Sequence, residues 1–312
     1  MLRYRKIDRK YRIFQVEAMK KNGIIAAFLV SLMLVSCGEN GQATARAENQ
    51  QEINTIVSIG PSNTEILVAL GFGDKIIAAD TYSADVEGLS PAASVALSMM
   101  ALDAEYLINL MPDVIFITDM AMAGGTHDPL AAVGAVGIDV IYVPISATIA
   151  AIMEDIRFIA SVMGAEEAGE NVISKMQEEI DEIRRIAETI TLTRTVYFEI
   201  SPAPWMFSSG RGTFLHEMLE LAGAQNIFAA QDGWLGVTDE MLLQANPDVI
   251  LTSTDFLDDP EAEIIGRPGF HAITAVQTGN VHRIDTAYSS RPSPNITRAL
   301  REIALAVFPE YF

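Results

Sequence analysis

The sequence predicts an α/β protein of two similar lobes with mostly parallel sheets, joined by one long α-helix and flanking a ligand cleft. Three observations carry this expectation: an amphipathic stretch at residues 166–190, a motif repeated on either side of it, and strand–helix alternation within each half.

In the long stretch, Val172, Ile173, Met176, Ile180, Ile183, Ile186, Ala187 and Ile190 recur at steps of three and four, which places them on one helical face. Glu166, Glu167 and Glu170 crowd its start and Arg184 and Arg185 its end, the order that the helix dipole favours. Neither Gly nor Pro interrupts it after Gly169. A helix of this length extends about 37 Å. The repeat comprises residues 103–118 and 238–252. Glu105 stands seven residues before Pro112, and Glu240 seven before Pro247. Each Pro-Asp pair leads straight into an apolar, β-branched run. A weaker echo relates residues 65–71 to residues 217–223, each opening on a glutamate and closing on a glycine. The repeat is too long for a solenoid and implies two lobes.

The 312 residues suffice for two domains that each bury a core. Formal charge is −20, and residues 1–36 hold eight of the 21 basic side chains and only two of the 41 acids. The remainder therefore carries −26, which argues against a nucleic-acid partner. Residues 1–18, basic and aromatic, precede a good start at Met19 and are read as a mis-called start. Residues 19–37 read as an export signal: Lys20 and Lys21, then an apolar run at 24–35 in which only Ser31 is polar. The run is too short to span a bilayer stably. It ends in Leu34-Val35-Ser36-Cys37-Gly38, which resembles a bacterial lipobox and marks Cys37, the sole cysteine, for lipidation. The polar residues 38–52 read as a flexible tether. The N-terminal lobe is then 53–165, the interlobe helix 166–192 and the C-terminal lobe 193–312.

In the first lobe, strands are expected at 55–59, 75–79 and 138–143, and helices up to Leu70 and at 102–110 and 149–163. Ser62 or Asn63 is expected to cap the first helix. Loops 60–63, 80–83, 119–127 and 144–147 would lie at the carboxyl ends of strands, where parallel sheets bind ligands. In the second lobe, strands are expected at 194–200 and 279–285, and helices at 214–221 and 296–307. Loop 201–213 carries Trp205, Phe207 and Arg211, and loop 288–295 carries Tyr288 and Arg291. Such proline-rich aromatic loops suit a preorganised binding surface.

From Ile53 to Phe312 the chain resembles the substrate-binding proteins of bacterial ABC importers for iron–siderophore complexes, haem and cobalamin. The resemblance rests on residues 58–66, 103–118, 208–214, Gly233-Trp234 ahead of 237–247, and Ser290-Arg291-Pro292, in this order behind a lipobox. It implies two Rossmann-like lobes and a monomer anchored in the membrane through lipid. It also implies an ABC permease with its ATPase subunits as partner, and no enzymatic activity or resident cofactor. The implied ligand is a metal chelate, a ferric siderophore first and cobalamin or haem next. Glu105 and Glu240 match the glutamates through which cobalamin-binding members meet arginines of their permease. Tyr82 and Trp234 match aromatic positions of the cobalamin pocket, whereas Met99 stands where those members have tryptophan. Tyr82 is also close to the iron-ligating tyrosine of haem-binding members. Arg211 and Arg291 are the cationic candidates, because the guanidinium fork suits carboxylate or catecholate oxygens. Trp205, Phe207 and Tyr288 either line the cleft or pack beneath the loops, and Met99 and Met100 belong to core or cleft wall.

Two alternatives are an exported lipoprotein enzyme and a binder of free metal ions. No Gly-x-Ser-x-Gly elbow is present, and His127, His216, His271 and His282 lack the spacing of a zinc helix. The lipobox makes one expectation checkable: the Cys37→Ala variant leaves the membrane fraction or stays unprocessed. Fractionation and gel mobility identical to the parent's would remove the anchor.

Overall fold

The computed structural model describes residues 52–119, 128 and 130–312. Residues 1–18, the expected export signal with Cys37, the expected tether up to residue 51, and residues 120–127 of the expected cleft loop, His127 included, lie outside these residues. In chain order the first half comprises β1 (Ile56–Ile59), α1 (Pro61–Ala69), β2 (Ile76–Asp80), β3 (Ser94–Leu97), α2 (Ala104–Leu110), β4 (Val114–Thr118), α3 (Ala131–Ala135), β5 (Asp139–Val143) and α4 (Ile149–Met163). Its five strands are all parallel, in the order β3-β2-β1-β4-β5. The connecting helix α5 (Glu166–Ala187) follows. The second half comprises β6 (Thr195–Glu199), β7 (Phe207–Ser209), α6 (Phe214–Leu221), β8 (Gln225–Asn226), β9 (Trp234–Gly236), α7 (Asp239–Ala245) and β10 (Val249–Thr252). It closes with α8 (Pro260–Ile265), α9 (Thr274–Thr278), β11 (Val281–Arg283), α10 (Thr286–Ser290) and α11 (Ile296–Val307). Its main sheet, β11-β10-β6-β8, is parallel, and β7 and β9 form a small antiparallel pair.

The two Pro-Asp motifs do the same work in both sheets. The Asp113 carboxylate accepts from the Thr55 backbone N–H at 2.9 Å and its hydroxyl at 3.0 Å. Asp248 accepts from the corresponding groups of Thr195 at 2.8 and 2.7 Å. Each aspartate thus pins the start of one strand to its central neighbour, β4 to β1 and β10 to β6. The backbone donors of Asn54 and Thr55 hold the Asp113 carboxyl below the usual carboxylate range. Helices α2 and α7 both span seven residues, are capped by the side chains of Asp103 and Thr238, and stop at a left-handed residue, Met111 or Asn246, each with φ 46°. Proline follows immediately in both cases and cannot continue the helix.

The main core explains the apolar stripe of α5. Ile173, Met176, Ile180 and Ile183 are buried in one cluster with Ile56 and Phe116 of the first sheet and Val196 and Phe198 of the second. Helices α1, α4, α5, α6 and α11 contribute to that same cluster, so a single helical layer serves both sheets. The outer sheet faces are covered separately: Leu107, Leu130 and Val133 pack beneath the first, and Leu242, Ile264 and Phe270 beneath the second.

Several boundaries differ from the sequence reading. Helix α5 stops at Ala187, where the Ile190 N–H turns back to the Ala187 carbonyl in a tighter final turn; Ile190 still packs against the core. Helix α1 begins at Pro61, because Gly60 at φ 113° makes the turn and Pro61 supplies the first helical residue. Asn63 does not cap it; buried, it donates from Nδ2 to the Ile59 carbonyl. Strand β3, helix α3 and the β7–β9 pair were not expected. All are short, and β3 exposes Ser94 and Ala96 at the sheet edge, so no apolar run announces it.

Helices α4 and α5 pack closely because Gly169 has no side chain. A Cβ there would stand 2.7 Å from the Ala160 Cβ. Gly169→Ala is therefore expected to destabilise the protein by about 1 kcal/mol, overpacking outweighing the gain in helix propensity. Combining it with Ala160→Gly should cost less than the sum of the two single changes in denaturant titrations. Additivity would show that the close approach is irrelevant.

Candidate functional site

A cleft of about 1590 Å³ opens between the two sheets. Its walls are the loops after β1, β2 and β5 on one side and those after β6, β10 and β11 on the other, all at carboxyl ends of parallel strands. The volume exceeds the roughly 300–1,000 Å³ of ordinary small-molecule pockets.

On the first lobe, wholly buried Asp80 organises the rim. It accepts from the Gly60 N–H at 2.8 Å, the Tyr82 N–H at 2.9 Å and the Ser83 hydroxyl at 2.8 Å, fixing two loops at once. Tyr82 is thereby held at the mouth with its ring exposed. Deeper in the cleft, Asp155 of α4 lies on the helix face that also buries Ile152 and Ile159. It accepts from the Ser146 hydroxyl. Burial pushes its carboxyl up to about 6, aided by the nearby charges of Asp119 and Glu154 against the lowering effect of Ser146. Asp119 is itself raised by burial.

Two glutamates, related by the weaker sequence echo, reach across the cleft base in opposite directions. Buried Glu65 of α1 accepts from Arg291 at 2.9 Å, from Asn295 Nδ2 at 2.9 Å and from the Ser293 hydroxyl. Glu217 of α6 accepts from the Ile149 N–H at the start of α4 at 2.7 Å. Arg291 also binds Asp85 at 2.8 Å and the Tyr82 carbonyl at 3.0 Å. It thus lines the cleft as an interlobe tie, with both terminal guanidinium nitrogens engaged.

Of the residues singled out from sequence, Tyr82, Met99, Met100, Trp234, Tyr288 and Arg291 come together on the cleft wall. Trp234 packs edge-on against Phe214 with centroids 5.7 Å apart. The Tyr288 hydroxyl accepts from Arg298 at 2.9 Å, whose guanidinium also lies over the ring. Trp205, Phe207 and Arg211 stand outside the wall. The β7–β9 pair and the Arg211–Asp232 ion pair at 2.8 Å draw this loop toward the segment before β9 and not into the cleft. Glu105 and Glu240 are exposed in the first turns of α2 and α7. The Glu240 carboxyl is lowered by its own backbone N–H and by Thr238. Among the described residues, no group of three or more His, Cys, Asp and Glu side chains is placed to hold a metal ion.

The family model described as periplasmic binding protein matches residues 56–288. The chain belongs to the periplasmic binding protein family. A crystal structure from Staphylococcus epidermidis, described as a possible iron-binding (periplasmic solute-binding) protein, superposes with a TM-score of 0.73 at 25% identity, covering 82% of this chain and 99% of that one. The uncharacterized ABC transporter substrate-binding lipoprotein YvrC of Bacillus subtilis is 29% identical over 320 residues, 94% of this chain and 99% of its own. A vitamin B12-binding protein of Yersinia pestis is 29% identical over 206 residues, 65% of this chain and 70% of its own.

In this periplasmic binding protein, sequence reasoning missed Asp155, Asp255, Arg283, Arg298 and Glu302 of the wall. One signal was available: Asp155 interrupts an otherwise apolar face of the 149–163 helix, three residues after Ile152. The raised carboxyl of Asp155 has a consequence for stability. The folded state binds its proton more tightly than the unfolded chain does. That contribution is full below about 3.8 and is lost as pH rises through about 6. Asp155→Asn keeps an acceptor for Ser146 and removes the charge. It should stabilise the protein by roughly 1–3 kcal/mol above pH 7, the gain fading toward pH 4. Denaturant titrations of both proteins from pH 4 to 8 read this difference directly. A gain that does not change with pH would exclude it.

Proposed function

We propose that this chain is the extracytoplasmic substrate-binding protein of an ABC importer, held at the membrane through Cys37 and carrying a metal chelate to its permease. A ferric siderophore is the first candidate, with cobalamin or haem behind it. The observation that carries the reading is the cleft: larger than ordinary pockets, walled by both lobes, and set at the carboxyl ends of two parallel sheets. Membership of the family and likeness to a substrate-binding lipoprotein support it. The aromatic and thioether side chains of Tyr82, Met99, Met100 and Trp234 suit a bulky, partly apolar ligand.

Docking onto the permease is assigned to Glu105 and Glu240. They occupy equivalent first-turn positions of two equivalent helices, so each half offers one exposed carboxylate to a permease with two basic sites. Rim charges of this kind orient a partner and leave the ligand pocket untouched. Charge reversal at both (E105K/E240K) should abolish chelate uptake in cells carrying the cognate permease, with single reversals intermediate. The ligand affinity of the purified double variant should stay within about twofold of the parent's. Unimpaired uptake, or loss of ligand binding with the fold intact, sinks the docking assignment.

A further inference from the structure

We propose that the cleft selects chelates of neutral or positive net charge and rejects anionic ones. This rests on the chelate-carrier reading above and narrows the ligand class. Seven acids and three arginines line the cleft, a formal charge of −4. Their pairing sharpens the imbalance. Arg291 is shared between Glu65 at 2.9 Å and Asp85 at 2.8 Å. Arg298 faces Glu87 at 3.6 Å and also donates to Tyr288. Among the described residues, Arg283 alone of the wall's arginines forms no ion pair.

Four of the acids, Asp155, Asp255, Asp285 and Glu302, also form no ion pair among the described residues. Asp255 has no side-chain partner there at all, and follows β10, at the carboxyl end of a central strand. Asp155 is buried and held by one hydroxyl. Glu302 accepts the Asp285 N–H at 2.9 Å, and Asp285 in turn caps α10. A ligand bearing carboxylate or catecholate charge would meet these four groups with one free guanidinium to answer them. In a partly dehydrated cleft such repulsion is far stronger than in water. A ligand without net negative charge meets acceptors for its N–H groups and apolar contact with Trp234, Tyr82 and the methionines.

The test is a charge series on a constant scaffold, using the purified full-length protein and tryptophan fluorescence. One series is ferrioxamine B, with its ammonium free, N-acetylated or N-succinylated, hence positive, neutral or negative. The second is aquacobalamin, cyanocobalamin and a corrin monocarboxylate, with the same charges. Haemin and a ferric triscatecholate complete the panel. On whichever scaffold binds, affinity should fall at least roughly tenfold from cation to anion, and added salt should narrow the gap. The D255N/E302Q variant should narrow it too. A flat or reversed series, or haemin or the triscatecholate bound more tightly than either series, overturns the charge rule and leaves the carrier reading standing. Binding of none of these probes overturns both.

Discussion

One constraint governs the molecule: two sheets share a single layer of helices, and the apolar face of α5 can be buried only if both sheets are in place. Each sheet also needs helices on both faces, so neither half could keep its inner face dry alone. The reciprocal carboxylates reinforce this. Glu65 is buried, and a buried carboxylate is tolerated only with its donors present. Those donors, Arg291, Ser293 and Asn295, all belong to the other half. Parting the sheets would strand that charge, so the cleft walls are held at a fixed separation before any ligand arrives. A preorganised cleft of this kind loses little ordering entropy on binding.

Much of this was legible in the sequence, for a local reason. The Pro-Asp motif encodes a helix stop, a strand start and a carboxylate clip within a few residues, so its recurrence announced two equivalent halves. The stripe of α5 was legible because its period is helical, although its last turn was not. Strand β3 and the β7–β9 pair escaped because edge strands of three or four residues carry no apolar alternation. Their pairing is decided by what lies beside them, not by their own composition.

The cleft's electrostatics were the least legible part. Arg291 was marked from sequence as a candidate of the site and lies on the cleft wall, but its partner Glu65 is 226 positions away. Nothing local says that the guanidinium is occupied. Arg211 shows the converse: its loop looked like a binding loop, yet Asp232, 21 positions on, holds it at the surface. A sequence gives the inventory of charges, whereas the field in a cleft depends on which charges already neutralise one another.

That distinction bears on where the protein departs from its own folding rules. Asp155 sits on a face of α4 where isoleucine precedes and follows it, and burial disfavours its charged form. Replacing it with an apolar residue would satisfy the helix better. A group that costs stability and serves no packing is expected where a site must meet something from outside. Asp255, exposed on the cleft wall just after a strand, has no side-chain partner among the described residues, whereas Asp113 and Asp248 at strand starts each accept from a backbone N–H and a hydroxyl. Within one chain, Asp113 and Asp248 at the amino ends of strands pin the sheets, whereas Asp255, just beyond a carboxyl end, lines the cleft with no side-chain partner among the described residues.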